Sequence, residues 1–231
     1  MHSRCTKPAQ RGIGMDSSRV VRVLMLSSGL MGITSSVLWN FTSLYAQYLG
    51  FSFYDIGVFS SLGLVVSSTA ILILSPLVDA YGRRPFAVLA AIFNMGAALL
   101  PVVSPNFIGF AFSFVMSNLS FLLWQSARGA IVGDVVKQSE LGRVFSKISL
   151  SFSVATLATP YIAGVMIRLH GYAPVFIMVA LSSLAAAVVM AVCLPETGGG
   201  SRIFLIRGTV KNLLPKRREA PLIIVTTLDR F

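Results

Sequence analysis

The sequence predicts an all-α membrane protein, a bundle of six transmembrane helices, and three observations carry that prediction. Of 231 residues, 55% are hydrophobic and only 12% are charged. A soluble domain could not hide that much apolar surface while presenting so few charges to water. The apolar residues gather into six runs, each near the roughly 20 residues a helix needs to cross a bilayer. The charged residues fall in the links between those runs, and they fall unevenly. Strand alternation of the membrane-barrel kind is absent, and an open sheet edge cannot survive in lipid, so the spans are helices.

Taken in order, residues 1–19 form a basic arm with Arg4, Lys7, Arg11 and Arg19. The arm has neither the short apolar core nor the small-residue cleavage site of a signal peptide. Met15, just before the first apolar run, is a second candidate start. The bundle occupies 20–195, with spans expected at Val20–Tyr45, Ile56–Leu77, Phe86–Val103, Phe107–Ala127, Phe145–Ile167 and Ala173–Leu194. Gly50, Pro85, Pro101, Pro105, Gly171 and Pro174 punctuate them. After the sixth run, Leu194-Pro195-Glu196-Thr197 and three glycines stop the helix and begin a linker. Residues 196–220 then read as a basic loop, in which Ser201–Ala220 is able to lie as an amphipathic segment on anionic headgroups. Pro221 opens an apolar run too short to span, so 221–231 reads as the truncated start of a seventh helix.

Charge orients this stack. Arg83 and Arg84, then Arg128, Lys137, Arg143 and Lys147, fall on the same side as the N-terminal arm, as do the basic residues of 196–220. The other side carries Arg168 and the acid Asp55. The excess of Lys and Arg places the N-terminus in the cytoplasm. The formal charge of +11 could suggest a nucleic-acid partner. Basic residues confined to short links set topology instead, and no nucleic acid is expected. Cys5 and Cys193 have neither disulfide nor metal-ligand spacing. His2 and His170 sit near no nucleophile or carboxylate pair, and no phosphate-cradling glycine loop occurs. The chain reads as no enzyme, with no cofactor and no metal.

The chemistry concentrates in Ser75-Pro76-Leu77-Val78-Asp79-Ala80-Tyr81-Gly82-Arg83-Arg84-Pro85, a charged hinge between the second and third runs. Asp79 and Arg83 stand four residues apart, so a helical turn would bring them together. Gly82 permits a tight return, and Arg84 can reach lipid phosphate. The arginines alone could be topology signals, but an acid at a helix end needs another explanation. This segment closely resembles the signature loop of the major facilitator superfamily. Leu77, Asp79, Gly82, Arg83 and Arg84 fit its pattern, and Ser75 and Ala80 depart from it. Tyr48-Leu49-Gly50-Phe51-Ser52 and Leu194-Pro195-Glu196-Thr197 are also familiar in that family, and the resemblance extends along all six spans.

The resemblance implies the amino-terminal six-helix half of a twelve-helix transporter, moving a small solute by alternating access at the plasma membrane, with efflux faintly suggested by Ala155–Gly164. In the family the aspartate of this loop is thought to lock the inward face. The matching Asp79, with Gly82, Arg83 and Arg84, and with Arg128 and Asp134 on helix four, would form a gating charge relay. The alternative is that Asp134 simply caps or solvates a loop with Lys137, Glu140 and Arg143 as its neighbours. Ser36, Asn40, Ser43 and Gln47 share one helical face, as do Asn118, Gln125 and Arg128. Family members line their cavity with helices one and four, so Trp39, Asn40, Ser43, Gln47, Asn118, Trp124 and Gln125 are candidate solute contacts. The same polar residues could instead bond helix to helix. No Asp or Glu falls at mid-depth in any run, although proton coupling usually needs one. Besides a solute and membrane lipid, the expected partner is a second six-helix half, a separate chain or another copy. The alternatives are a split half inactive alone and a membrane-anchored interaction protein acting through its basic loop.

Overall fold

The computed structural model describes residues 17–196, all but the links of which fold into six helices. They are α1 (Ser17–Tyr48), α2 (Phe53–Tyr81), α3 (Arg84–Val103), α4 (Phe107–Val135), α5 (Leu141–His170) and α6 (Tyr172–Cys193). Each is long and apolar enough to cross a membrane. At 1.5 Å per residue the 20-residue α3 is about 30 Å long and the 32-residue α1 about 48 Å. The arm to residue 16, most of the basic loop 196–220 and the expected seventh-helix start at 221–231 lie outside the described residues.

The helices run past the apolar limits read from sequence, and the ends show why. At the start of α2, Asp55 is no loop charge. Its carboxylate accepts from the Ser52 amide at 2.9 Å while the Ser52 hydroxyl accepts from the Asp55 amide at 3.2 Å, a reciprocal cap. Asn106 caps α4 through the Gly109 amide at 2.8 Å. Five of the expected spans are extended at one or both ends into polar residues, because an interfacial helix keeps its backbone bonded whether or not its side chains are apolar. Consequently the expected hinge Ser75–Pro85 is mostly helix, and the true break is Gly82 with Arg83. Gly82 has φ +96°, a conformation that L side chains rarely adopt.

Two pairings fix the bundle. Along α3 and α4, buried Ala87, Ala90, Ala91, Ala97 and Ala98 meet buried Ser113, Ser117 and Ser120, small residues that let two backbones approach. Along α1 and α5, Gly32 faces Phe152 so closely that a Cβ there would fall 2.6 Å from its carbonyl oxygen. In each pair a proline has been repaired across the interface. Pro101 within α3 has no N–H for the Ala97 carbonyl, and the Ser113 hydroxyl of α4 donates to that carbonyl at 2.6 Å. Pro160 within α5 likewise frees the Thr156 carbonyl, which accepts from the Ser36 hydroxyl of α1 at 3.0 Å. Ser36, read from sequence as part of a polar stripe, is fully buried in this interface.

The core is thickest toward the Gly82 end, where Leu24, Trp124, Ile131, Ile148 and Met190 cluster. At the opposite end Phe59 and Phe110 pack with Phe51 and Phe107. The helices α2 and α5 are the least covered: Ile73, Leu157 and Tyr161 are 67%, 84% and 79% exposed.

Candidate functional site

At the Gly82 end, two consecutive arginines leave the α2–α3 link toward opposite neighbours. Arg83, at the start of α3, donates to the Ala130 carbonyl and to the Asp134 carboxylate of α4. Its side chain is 17% exposed and that of Asp134 is 39% exposed, so the pair sits at the rim of the bundle, partly covered by protein. Arg84 donates instead to the Ala191 carbonyl in the last turn of α6. Carbonyls there lack helical partners and carry the negative end of the helix dipole, which favours a cation. Arg84 is therefore bound to protein where lipid phosphate was expected. The Glu196 carboxylate fills the space a Gly82 side chain would need. The link is thus tied to α4 on one side and to α6 on the other.

Asp134 lies on α4 itself, not in a following loop. Asp79 lies in the last turns of α2, but its side chain is outside the described residues. Arg128, nearly two turns before Asp134, donates to the Gln125 side chain. Its Nε is buried with no hydrogen-bond partner among the described residues. Structure therefore joins Arg83 to Asp134 and leaves Arg128 in a separate pair with Gln125.

The second feature is a cavity of about 220 Å³ between α1, α2 and α4. Trp39 and Asn118 line it, together with Thr42, Ser60, Leu64 and Phe114. Trp39 is 44% exposed and meets Phe121 edge-on, with ring centroids 4.9 Å apart. Asn118 donates to the Phe114 carbonyl at 2.8 Å. Asn40 donates to the Ser36 carbonyl of its own helix at 2.8 Å and faces outward, as does Gln47, while Ser43 is half-buried. Neither they nor Gln125 line this cavity. Trp124 is 1% exposed and packs into the core cluster with Leu123 and Ala127. Sequence reasoning missed the α2 wall entirely. Its signal was modest: Ser60, Gly63 and Ser67 recur at helical spacing inside an otherwise apolar run.

The Major Facilitator Superfamily matches this sequence over residues 24–226. A multi-drug resistance efflux pump, PmrA, from Streptococcus pneumoniae is 25% identical over 180 residues, which are 75% of this chain and 44% of the pump. A bicyclomycin resistance protein homolog from Haemophilus influenzae is 29% identical over 124 residues, 53% of this chain and 31% of that protein. The peptide transporter POT in complex with sulfate superposes with a TM-score of 0.62 at 13% identity, covering 95% of this chain and 47% of POT. A POT point mutant in complex with alafosfalin gives 0.60 at 13% identity, covering 96% and 48%. The chain spans under half the length of the relatives it matches.

Proposed function

The chain belongs to the major facilitator superfamily and is a multi-pass membrane protein, and from that premise we propose that it moves a small solute across a cell membrane by alternating access. The observation that carries the mechanism is the tie of Arg83 to the Ala130 carbonyl and Asp134. Such charge-assisted bonds at a partly covered rim hold the α2–α3 link against α4 and can be exchanged when the link moves. Arg84 on Ala191 would anchor the other side of that link, with Gly82 as its pivot and Asp79 one turn before it. Arg128 and Gln125 form a separate polar pair farther along α4. Trp39 and Asn118 would meet the solute inside the cavity, with Asn40, Ser43 and Gln47 along the same stretch of α1. Trp124 would support that wall from behind. The names of the resistance relatives favour the outward direction. The excess of basic residues near the Gly82 end supports a cytoplasmic position for that end and for the N-terminus, in a plasma-membrane protein.

A second reading concerns what completes the site. The little-covered α2 and α5 present broad apolar faces. A second six-helix unit covering them would enclose the open side of the α1–α2–α4 cavity. The test is solute flux in proteoliposomes holding the full chain, with and without a candidate second unit. Solute movement above that of empty vesicles supports the proposal. Flux no higher than in empty vesicles under both conditions, with the protein inserted and folded, would sink it.

A further inference from the structure

The cavity between α1, α2 and α4 has a chemistry that narrows its occupant. Its 220 Å³ exceeds the roughly 150 Å³ of an apolar protein cavity that takes up benzene. It lies well inside three helices. Thr42 is six residues from the end of α1, Ser60 seven from the start of α2, and Asn118 eleven from the start of α4. At 1.5 Å per residue those positions are about 9 to 17 Å inside the bundle. Trp39, Leu64 and Phe114 supply flat or apolar wall, and Thr42, Ser60 and Asn118 supply polar wall.

Two of the polar atoms, Thr42 Oγ1 and Asn118 Oδ1, are uncommitted. Thr42 is 2% exposed, yet its Oγ1 has no hydrogen-bond partner among the described residues. A threonine in a membrane helix ordinarily donates to the carbonyl one turn back, as Thr156 and Thr159 do at 2.9 and 2.6 Å. Asn118 commits its Nδ2 to the Phe114 carbonyl, which leaves Oδ1 as an acceptor. Gly63 keeps this corner tight, since a Cβ there would lie 2.9 Å from Asn118 Nδ2 and 3.0 Å from the Phe114 carbonyl oxygen. Among the described residues, no carboxylate, ammonium or guanidinium lines the cavity. An ion entering it would lose hydration and gain no counter-charge.

We propose that this cavity is a slot for the uncharged, planar part of the solute: an aromatic ring against Trp39 and Phe114, carrying an amide-like group that donates to Asn118 Oδ1 and accepts from Thr42. The slot rests on the transport reading for its biological meaning, but its occupancy is measurable without transport.

Three probes of nearly one shape separate the possibilities: benzamide, benzoate and benzamidine, uncharged, negative and positive at neutral pH. The full chain, with Cys5→Ser and Ser60→Cys, is held in membranes and alkylated with N-ethylmaleimide. The exposed native Cys193 serves as internal control. Benzamide at ten times a millimolar Kd should slow alkylation at position 60 about tenfold, leave Cys193 unaffected, and lose its effect in Asn118→Leu. The two ions should protect weakly or not at all. The proposal is overturned by no protection, by equal protection from all three probes, by protection that survives Asn118→Leu, or by equal slowing at Cys193. Stronger protection by benzamidine also overturns it, because the aromatic wall would then be reading a cation. Ser117→Cys repeats the measurement if the first variant fails to insert. Protection without flux would leave the slot standing and remove the transport reading; flux without protection would do the reverse.

Discussion

At the scale of single residues, Arg83 and Arg84 show how neighbours of identical type take different work. Arg83 meets an acid and a carbonyl of α4, and Arg84 meets a carbonyl of α6. Hydrogen bonds to charged groups contribute about 1.5 to 3 kcal/mol. On the gating role proposed above, Arg83→Gln should shift the resting balance of the α2–α3 link by about tenfold or more, read as altered solute flux with membrane insertion unchanged. Asp134→Asn should act in the same direction, and the double variant should cost little more than either single change. Additive losses would show that the two residues act separately. The hinge itself was visible in the sequence because an acid, a glycine and two arginines interrupt hydrocarbon. Which arginine would face which helix was not, since that depends on the turn made at Gly82. Trp39 and Trp124 were likewise alike on paper. Lipid and protein core are equally apolar, so burial leaves little trace in the sequence of a membrane helix.

Among elements, the informative feature is the pairing of each internal proline with a serine from another helix. Ser36→Ala leaves the Thr156 carbonyl unpaired and should destabilise the α1–α5 pair by about 1 kcal/mol. Pro160→Ala restores a backbone donor for that same carbonyl, so it should rescue Ser36→Ala in a double-variant cycle of thermal stability. Identical losses in both backgrounds would refute the pairing. Gly32→Val drives methyl groups toward the Phe152 carbonyl. Its cost should be about 1 to 3 kcal/mol, the usual range for overpacking, seen as a lower melting temperature. The six spans were legible from length and hydrophobicity, and their turns from Gly50, Gly82 and Gly171. The serine repairs were not, because they require knowing that α5 packs on α1 and α4 on α3. The Ser52–Asp55 cap was legible in principle, a reciprocal pair three residues apart at a helix start.

For the whole molecule, sidedness is open to direct test. Cys193 lies at the end of α6 that accompanies Gly82. In sealed cells an impermeant maleimide should spare it and should label a thiol introduced by Leu49→Cys at the opposite end. The reverse pattern would invert the proposed topology. The broad apolar faces of α2 and α5 suit either lipid or the second unit proposed above, and a crosslinker at Leu157→Cys should capture a six-helix partner or another copy if that unit covers them. The proline repairs also bear on how the bundle is made. Ser113 meets the Ala97 carbonyl across 16 residues of chain, whereas Ser36 meets the Thr156 carbonyl across 120. The α3–α4 hairpin can thus mend its backbone as it leaves the ribosome. Helix α5 carries an open carbonyl whose remedy was synthesised long before, so that bond can form only after α5 has been made and has met α1.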